Sequence, residues 1–318
     1  MKLKKPILKA ASWAAGILPA PVKKFFYKCP LLARTLRNIL NAAAPDGLTE
    51  ISIAAGPAHG LNMLLDLKSE KDYWLGTYET ELQNAASKLI YPGSIVYDIG
   101  ANIGYVSLFS AMLSGLKGKI FSFEALPANI ERLKANVSIN KLDSRITVTH
   151  AAVIENDQPV TFLTHESGAM GKAIGSAGRD EKYSGQITVP GVTIDSFVYD
   201  QNHLEPDLVK LDIEGGEGSA LVGMKRLLTD KQPVFLIELH GEKAARQVWD
   251  HLLQFDYKIY RMTPAYPQIT HIDDLDWKAY IIALPSHLSN LLTKKTGIHP
   301  VFLSIDCFAM LLLEQRAS

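Results

Sequence analysis

Four apolar runs in this chain end in side chains able to do chemistry. Ile95-Val-Tyr runs into Asp98, Lys119-Ile-Phe-Ser-Phe into Glu124, Leu208-Val into Lys210 with Asp212 and Glu214, and Pro233-Val-Phe-Leu-Ile into Glu238 and His240. Carboxylates at the first two positions attract a cationic ligand, and Glu124 lies where one acid accepts hydrogen bonds from both hydroxyls of a ribose. The second two sets combine carboxylates with an imidazole that ordinarily titrates near neutrality, the groups needed to take a proton from a nucleophilic hydroxyl. Side chains alternate along a strand, so Lys210, Asp212 and Glu214 share one side while extended geometry persists, as do Glu238 and His240. Neighbouring strands lie about 5 Å apart, so the two sets meet in one polar cluster. In it His240, Asp212 or Glu214 serves as base or orients the hydroxyl. Lys210 either takes part or neutralises a buried carboxylate, with Glu238 the expected partner. Asp212, Glu214, Glu238 and His240 are also donor types that suit several divalent ions, but nothing in the sequence requires a metal and none is assigned.

The elements that must position these groups are a strand at 94–99, a turn, a helix at 103–114 and a strand at 119–124, the opening unit of a nucleotide-binding α/β sheet. Gly100 and Gly104 permit a tight turn and close backbone approach, but their G-x-x-x-G spacing is not the G-x-G-x-x-G that seats a pyrophosphate on a helix N-terminus. Asp98 at the strand end repels a pyrophosphate and suits a sulfonium and an ammonium, which favours S-adenosylmethionine over NAD. A helix from Pro127, a strand at 146–153, the strands at 207–214 and 233–240, a helix at 243–255 and strands at 257–262 and 277–284 complete the pattern. Parallel strands joined by right-handed crossovers bind ligand at their carboxyl ends, at the topological switch point. Asp98, Gly100 and Glu124 fall there, with Ala151, Ala152 and Val153 placed to flank an adenine.

Asp98-Ile-Gly-Ala-Asn-Ile-Gly-Tyr resembles the first motif of the FkbM-type S-adenosylmethionine-dependent methyltransferases, and Phe123-Glu-Ala-Leu-Pro their second. Val209-Lys-Leu-Asp-Ile-Glu-Gly215 resembles the more specific K-x-D-x-E-G signature, with Ala125 and Gly216 as small departures. The resemblance covers residues 75–240. It implies a Rossmann-like class I methyltransferase fold with a seven-stranded, mostly parallel sheet flanked by helices. It implies S-adenosylmethionine as cofactor, bound by Asp98, Gly100, Asn102, Gly104, Glu124, Ala152 and Asp212, with Tyr78 and Glu79 at the mouth of the site. The activity implied is O-methylation of a hydroxyl on a sugar, glycolipid or polyketide-like acceptor, and the polar cluster of Asp212, Glu214, His240 and Lys210 read from the strands is the expected catalytic set. An NAD-linked oxidoreductase and a non-catalytic cofactor-binding protein are the alternatives.

The remaining sequence sets bounds. The 318 residues carry 33 Lys and Arg against 33 Asp and Glu, so no global charge draws the chain to nucleic acid. Two cysteines far apart, Cys29 and Cys307, indicate neither a zinc site nor a disulfide framework and fit a reducing compartment. No apolar run reaches the ~18–20 residues that span a bilayer. Residues 1–45 form a basic helical extension whose first acid is Asp46, with Lys2, Lys4, Lys5, Lys9, Lys23, Lys24 and Lys28 around Trp13. This extension packs on the domain or lies on an anionic membrane surface. It resembles a secretory signal only faintly, because Lys9 interrupts the apolar stretch and no clean cleavage site follows. The expected location is therefore cytoplasmic, with contact at the membrane periphery. Residues 46–92 read as a small antiparallel addition to the core, 93–290 as the catalytic domain, and 291–318 as an apolar segment that packs on the core or on a second copy of the chain. Residues 154–192, rich in Gly and Ser, read as a β-hairpin with a loop facing the acceptor, and Pro264-Ala-Tyr-Pro-Gln as a second such loop.

Overall fold

The computed structural model describes residues 4–18, 29–164, 171–173, 176, 185–275 and 278–289. The segment 291–318, Lys2, Lys23, Lys24, Lys28, Trp277 and most of the loop Ser167–Gly178 fall outside them. The chain divides into two compact units, residues 1–80 with 135–141, and residues 81–134 with 142–318.

The first unit begins with helices α1 (Lys4–Ile17) and α2 (Pro30–Ala43). Pro30 opens α2, where its missing N–H costs nothing. Leu40 and Ala43 are buried, while Trp13, Ile17, Leu32, Leu36 and Ile39 are exposed. Strands β1 (Leu48–Ser52) and β2 (Asn62–Asp66) form the expected antiparallel pair, and alternation along β2 buries Met63 and Leu65. The edge of β2 is tied by Asn136 Oδ1, which accepts from Leu64 N at 2.8 Å, and by Asn140 Oδ1, which accepts from Asn62 N at 2.9 Å. Helix α3 (Lys71–Leu75) carries the fully buried Trp74, whose indole N–H donates to Ser12 Oγ of α1 at 3.0 Å. Among the described residues no helix is long and apolar enough to cross a membrane.

The second unit runs through helix α4 (Thr80–Leu89), strand β3 (Ile95–Ile99), helix α5 (Tyr105–Leu113), strand β4 (Lys119–Glu124), helix α6 (Pro127–Ile139) and strand β5 (Ile146–His150). Short strands β6 (Ala152–Val153), β7 (Val160–Thr164), β8 (Gly171–Ala173), β9 (Gly185–Val189) and β10 (Gly191–Val192) follow. Then come β11 (Leu208–Leu211), helices α7 (Glu217–Val222) and α8 (Lys225–Asp230), β12 (Val234–Glu238), helix α9 (Glu242–Gln254), β13 (Tyr257–Arg261), β14 (Gln268–Ile269) and β15 (Tyr280–Pro285). The main sheet has the order β14-β13-β15-β12-β11-β3-β4-β5. Strands β12, β11, β3, β4 and β5 are mutually parallel, and β15 is antiparallel to both β12 and β13. Every residue of β3, β11 and β12 is buried, as in strands covered on both faces.

The sheet is the expected mostly parallel one with one strand more. The addition, β14, grows from the loop after Pro264 and pairs antiparallel with β13. Three expected elements end early or divide. The strand expected at 146–153 breaks after His150, and Ala152–Val153 turns away to pair in parallel with Gly191–Val192. The strand expected at 207–214 stops at Leu211, and that at 233–240 at Glu238. The expected hairpin forms as β7 against β9, with β8 on the other edge of β7.

The order places the switch point between β3 and β11. From β3 the chain builds outward through β4 and β5, then returns to start β11 on the other side. The turn after β3 depends on Gly100, which sits at φ 78 and whose added Cβ would lie 1.9 Å from the Asp212 carbonyl oxygen. Gly100→Ala is therefore expected to lower stability by about 2–4 kcal/mol, because it adds left-handed strain to a backbone collision. Thermal unfolding of the variant beside wild type checks this.

Candidate active site

The register pairs Asp98 of β3 with Lys210 of β11 on one side and with Ser122 of β4 on the other. Asp98 is fully buried. Its Oδ2 accepts from Ser107 Oγ at 2.5 Å, and Ser107 Oγ in turn accepts from Ser122 Oγ at 2.7 Å. Its Oδ1 lies 3.5 Å from Lys210 Nζ. Lys210 Nζ also donates to Gly100 O at 2.8 Å and Ile99 O at 3.4 Å, and it lies 3.3 Å from Asp212 Oδ2. The expectation that Lys210 neutralises Glu238 is thus corrected. Lys210 is level with Asp98 and Leu236, and Glu238 lies two residues further along β12. Asp98 holds the turn through Lys210 and Ser107 rather than presenting its own oxygens at the surface.

Glu124 closes β4 and grips the same turn. Its Oε2 accepts from Asn102 N at 2.8 Å, and its Oε1 accepts from Leu126 N at 2.9 Å and Asn129 Nδ2 at 3.4 Å. Burial raises its pKa above the ordinary value of 4.5, and the two backbone N–H groups, Asn129 and the Lys210 charge offset this only in part. Asn102 sits at φ 49, so the turn holds a non-glycine residue in the left-handed region. Gly104 caps α5 at φ 93, where a Cβ would meet Leu133 Cδ1 at 2.4 Å. A carboxylate with both oxygens braced by N–H groups, beside a turn in which neither Gly100 nor Gly104 has space for a Cβ, is suited to the ribose of an adenosyl ligand.

Asp212, Glu214 and His240 lie beyond their strands but still converge. Asp212 N donates to Ile99 O at 3.2 Å, which keeps it beside the turn after β3. Glu214 reverses the chain at φ 51, followed by Gly215 at φ 92. His240 Nε2 lies 3.7 Å from Asp212 Oδ1, 3.7 Å from Glu214 Oε2 and 3.5 Å from Glu238 Oε1. Lys278 Nζ approaches Glu238 Oε1 at 3.4 Å. Asp212, Glu238 and His240 each offer a donor atom within 4.8 Å of the others.

The residue that orders this cluster is Glu217, which the sequence shows only as an acid within a Gly-rich turn. It is fully buried. Its Oε1 accepts from Ile213 N at 3.2 Å, Gly215 N at 3.1 Å and His240 Nδ1 at 3.0 Å. Its position in the first turn of α7 was the available signal, since acids there complement the helix dipole. Burial pushes the His240 pKa down, but the hydrogen bond to Glu217 and the charges of Glu217, Asp212 and Glu214 outweigh it and raise it to about 9. His240 is therefore an imidazolium at neutral pH, not the neutral base expected from its ordinary pKa.

The remaining expected cofactor residues are Ala152, Tyr78 and Glu79. Ala152 is buried in β6. Tyr78 and Glu79 belong to the first unit, where the Tyr78 ring packs 4.2 Å from that of Tyr73 and Glu79 sits at φ 42.

A family profile described as the methyltransferase FkbM domain matches residues 98–281. The chain is 25% identical over 147 residues to the hexuronic acid methyltransferase AglP of Haloferax volcanii, covering 46% of this chain and 56% of that protein. It is 30% identical over 96 residues to the ribosomal protein L11 methyltransferase of Carboxydothermus hydrogenoformans, covering 30% of this chain and 29% of that protein. The chain thus spans about half, or less, of these relatives' lengths. The crystal structure of a methyltransferase FkbM from Methylobacillus flagellatus aligns with a TM-score of 0.43 at 20% identity, covering 68% of this chain and 53% of that one.

Because Glu124 must be ionised to accept from two hydroxyls, affinity for S-adenosylhomocysteine is expected to fall on acidification at a less acidic pH than an ordinary glutamate would dictate. Calorimetric titration from about pH 8 down to about pH 5 checks this, and Glu124→Gln should weaken binding about 10- to 100-fold and flatten the profile.

Proposed function

This chain belongs to the family of FkbM-domain methyltransferases, with S-adenosylmethionine as its cofactor, and we propose that it methylates a hydroxyl oxygen of a small-molecule or glycan acceptor. The observation that carries this reading is the convergence of Asp212, Glu214, Glu238 and His240 beside the turn after β3. An alcohol is a poor nucleophile until a base takes its proton, and these residues form a set of bases and orienters at the carboxyl edge of the sheet. The similarity to a hexuronic acid methyltransferase supports a sugar-like acceptor.

The turn at Gly100–Gly104 and Glu124 would hold the cofactor, which would supply an electrophilic methyl group when bound. Asp212 is the base. Its side chain is 19% exposed, beside the buried Lys210 and His240, so it can meet both solvent and an acceptor. Lys210 holds one Asp212 oxygen and leaves the other, Oδ1, on the side of His240. Asp212 Oδ1 would take the hydroxyl proton as the acceptor oxygen bonds to the methyl carbon, with the S–CH3 bond breaking and the neutral thioether of S-adenosylhomocysteine leaving. His240, held as a cation by Glu217, balances the charge of the carboxylates and keeps them close together. Glu214, at 36% side-chain exposure, is placed to orient the acceptor.

Asp212→Asn is expected to lower kcat by about 10²- to 10⁴-fold, the usual range for a general base, while S-adenosylhomocysteine still binds. Transfer of labelled methyl groups to a panel of sugars, uronic acids and simple alcohols provides the readout. Full turnover by the variant, or methylation of amines only, would sink the assignment.

The N-terminal helices support a peripheral contact with an anionic membrane surface. Trp13 and Ile17 on α1, and Leu32, Leu36 and Ile39 on α2, are exposed apolar residues beside the exposed cations Lys9, Arg34 and Arg37. Replacing Trp13 and Ile17 together by Ser should reduce co-sedimentation with vesicles containing anionic lipid, with no change on purely zwitterionic ones. Equal binding by wild type and variant would remove the proposal.

A further inference from the structure

We propose that Asp212, Glu238 and His240, with Glu214 as a fourth donor, hold a divalent cation of the Mn²⁺ or Mg²⁺ type. The inference deepens the proposed function: such an ion would bind the acceptor's hydroxyl oxygen and acidify it, so that Asp212 would act on the hydroxyl as a ligand of the ion and the proton would pass to the more exposed Glu214 or to solvent.

The donor geometry comes first. One atom from each of Asp212, Glu238 and His240 falls within 4.8 Å of the other two. Ligands on opposite sides of an ion with bonds of about 2.1 Å stand about 4.2 Å apart, so closure by roughly half an ångström suffices. Glu214 Oε2, 3.7 Å from His240 Nε2, is close enough to join. Three carboxylates to one imidazole is a donor set for a hard ion, not for a thiolate-seeking one.

The state of His240 is the second, independent observation. The ring is 98% buried, at 2% exposure. Its Nδ1–H is committed to Glu217, so Nε2 points at three carboxylates. None of the three comes closer than 3.5 Å. A buried nitrogen that faces three carboxylate oxygens at 3.5–3.7 Å is placed to act as a ligand together with them. An ion at Nε2 takes the place of the proton there.

The outer layer is also that of a metal site. A ligand histidine ordinarily donates its second N–H to a carboxylate that fixes ring orientation, and Glu217 does this. Glu217 is braced by Ile213 N and Gly215 N, so the ring and the turn carrying Glu214 are held by one carboxylate.

Charge points the same way. Asp98, Asp212, Glu214, Glu217 and Glu238 are faced by two lysines, Lys210 and Lys278. Five carboxylates against two lysines leave an excess of negative charge around His240 Nε2, an arrangement that favours a cation. Lys278 is 40% exposed, so its ammonium can swing out to solvent when an ion takes Glu238.

The test is titration of the full, chelator-treated chain with MnCl₂, followed by electron paramagnetic resonance and calorimetry, without cofactor or acceptor. The expected result is one Mn²⁺ per chain, competed by Mg²⁺, with at least tenfold weaker binding in both Glu238→Gln and His240→Ala. Glu214→Gln, a change at a more exposed position, serves as a second variant if either of these fails to fold, and it too should weaken binding. No binding by wild type up to millimolar Mn²⁺, or binding unaffected by variants whose fold is intact, would overturn the inference. S-adenosylhomocysteine affinity and methyl transfer to hydroxyls, measured on the same samples, separate this outcome from a failure of the proposed reaction.

Discussion

The rest of the site depends on one buried ion pair, Asp98 with Lys210. Two parallel strands are joined across the switch point by groups that cannot remain buried alone. Asp98 is fully inaccessible, and the Lys210 side chain is 5% exposed. Removing either partner leaves a buried charge, a loss of about 3–5 kcal/mol in comparable cases. Lys210 also takes the carbonyls of Ile99 and Gly100, so the pair fixes the direction in which the chain leaves β3. With those carbonyls turned inward to a cation, the turn can offer its other face to a ligand. Because Lys210 reaches Asp212 as well, the same ammonium links the cofactor turn to the proposed base.

From that pair outward the acids divide by exposure. Asp98, Glu124 and Glu217 are buried, and each holds hydrogen bonds from this chain. Asp212 and Glu214 are the more exposed, at 19% and 36% of their side chains, and they are the acids proposed to meet an acceptor. The division follows from strand length. Asp98 and Glu124 lie inside β3 and β4 and are buried with their strands. Asp212 and Glu214 follow the last residue of β11 and emerge at the sheet's edge. A group that must exchange a proton with a substrate has to be reachable, whereas one that shapes a turn does not.

What the sequence made legible was local. The turn at Asp98–Gly104 and the acid at Glu124 are contiguous with the strands that carry them, and the strand at 119–124 ends where its apolar pattern ends. The sheet followed from apolar runs separated by helical spacing. Contacts between distant segments were not legible. Lys210 has two neighbouring strands, and the choice of Asp98 over Glu238 depends on register, which no single sequence displays. Glu217 reads as one acid among glycines until folding brings His240 to within 3.0 Å of it. The convergence of Asp212 and Glu214 was expected from strand alternation, yet the strand stops at Leu211 and the convergence comes instead from a left-handed residue. The raised pKa of His240 is likewise a property of assembled carboxylates rather than of residue type. The early break of the third strand, which carries Ala152 into a separate ladder, left no mark that its apolar run could show.

Both ligand-facing turns are built on the same device. After β3 the chain passes through Asn102 at φ 49, and after β11 through Glu214 at φ 51. A non-glycine residue in that region costs of order 1–3 kcal/mol and persists only where its surroundings over-determine it. In each turn the surroundings are a buried glutamate accepting two backbone N–H groups. Glu124 takes those of Asn102 and Leu126, and Glu217 takes those of Ile213 and Gly215. Charge-assisted hydrogen bonds of this kind are worth about 1.5–3 kcal/mol each, enough to offset the strain they enforce. Each glutamate then has a second duty. In the proposed site Glu124 would accept from the cofactor's ribose with its remaining lone pairs, and Glu217 accepts from His240. The groups that define the chemistry are therefore also the ones that hold the backbone in the conformation the chemistry needs. A substitution at either would alter the shape of a turn as well as a charge.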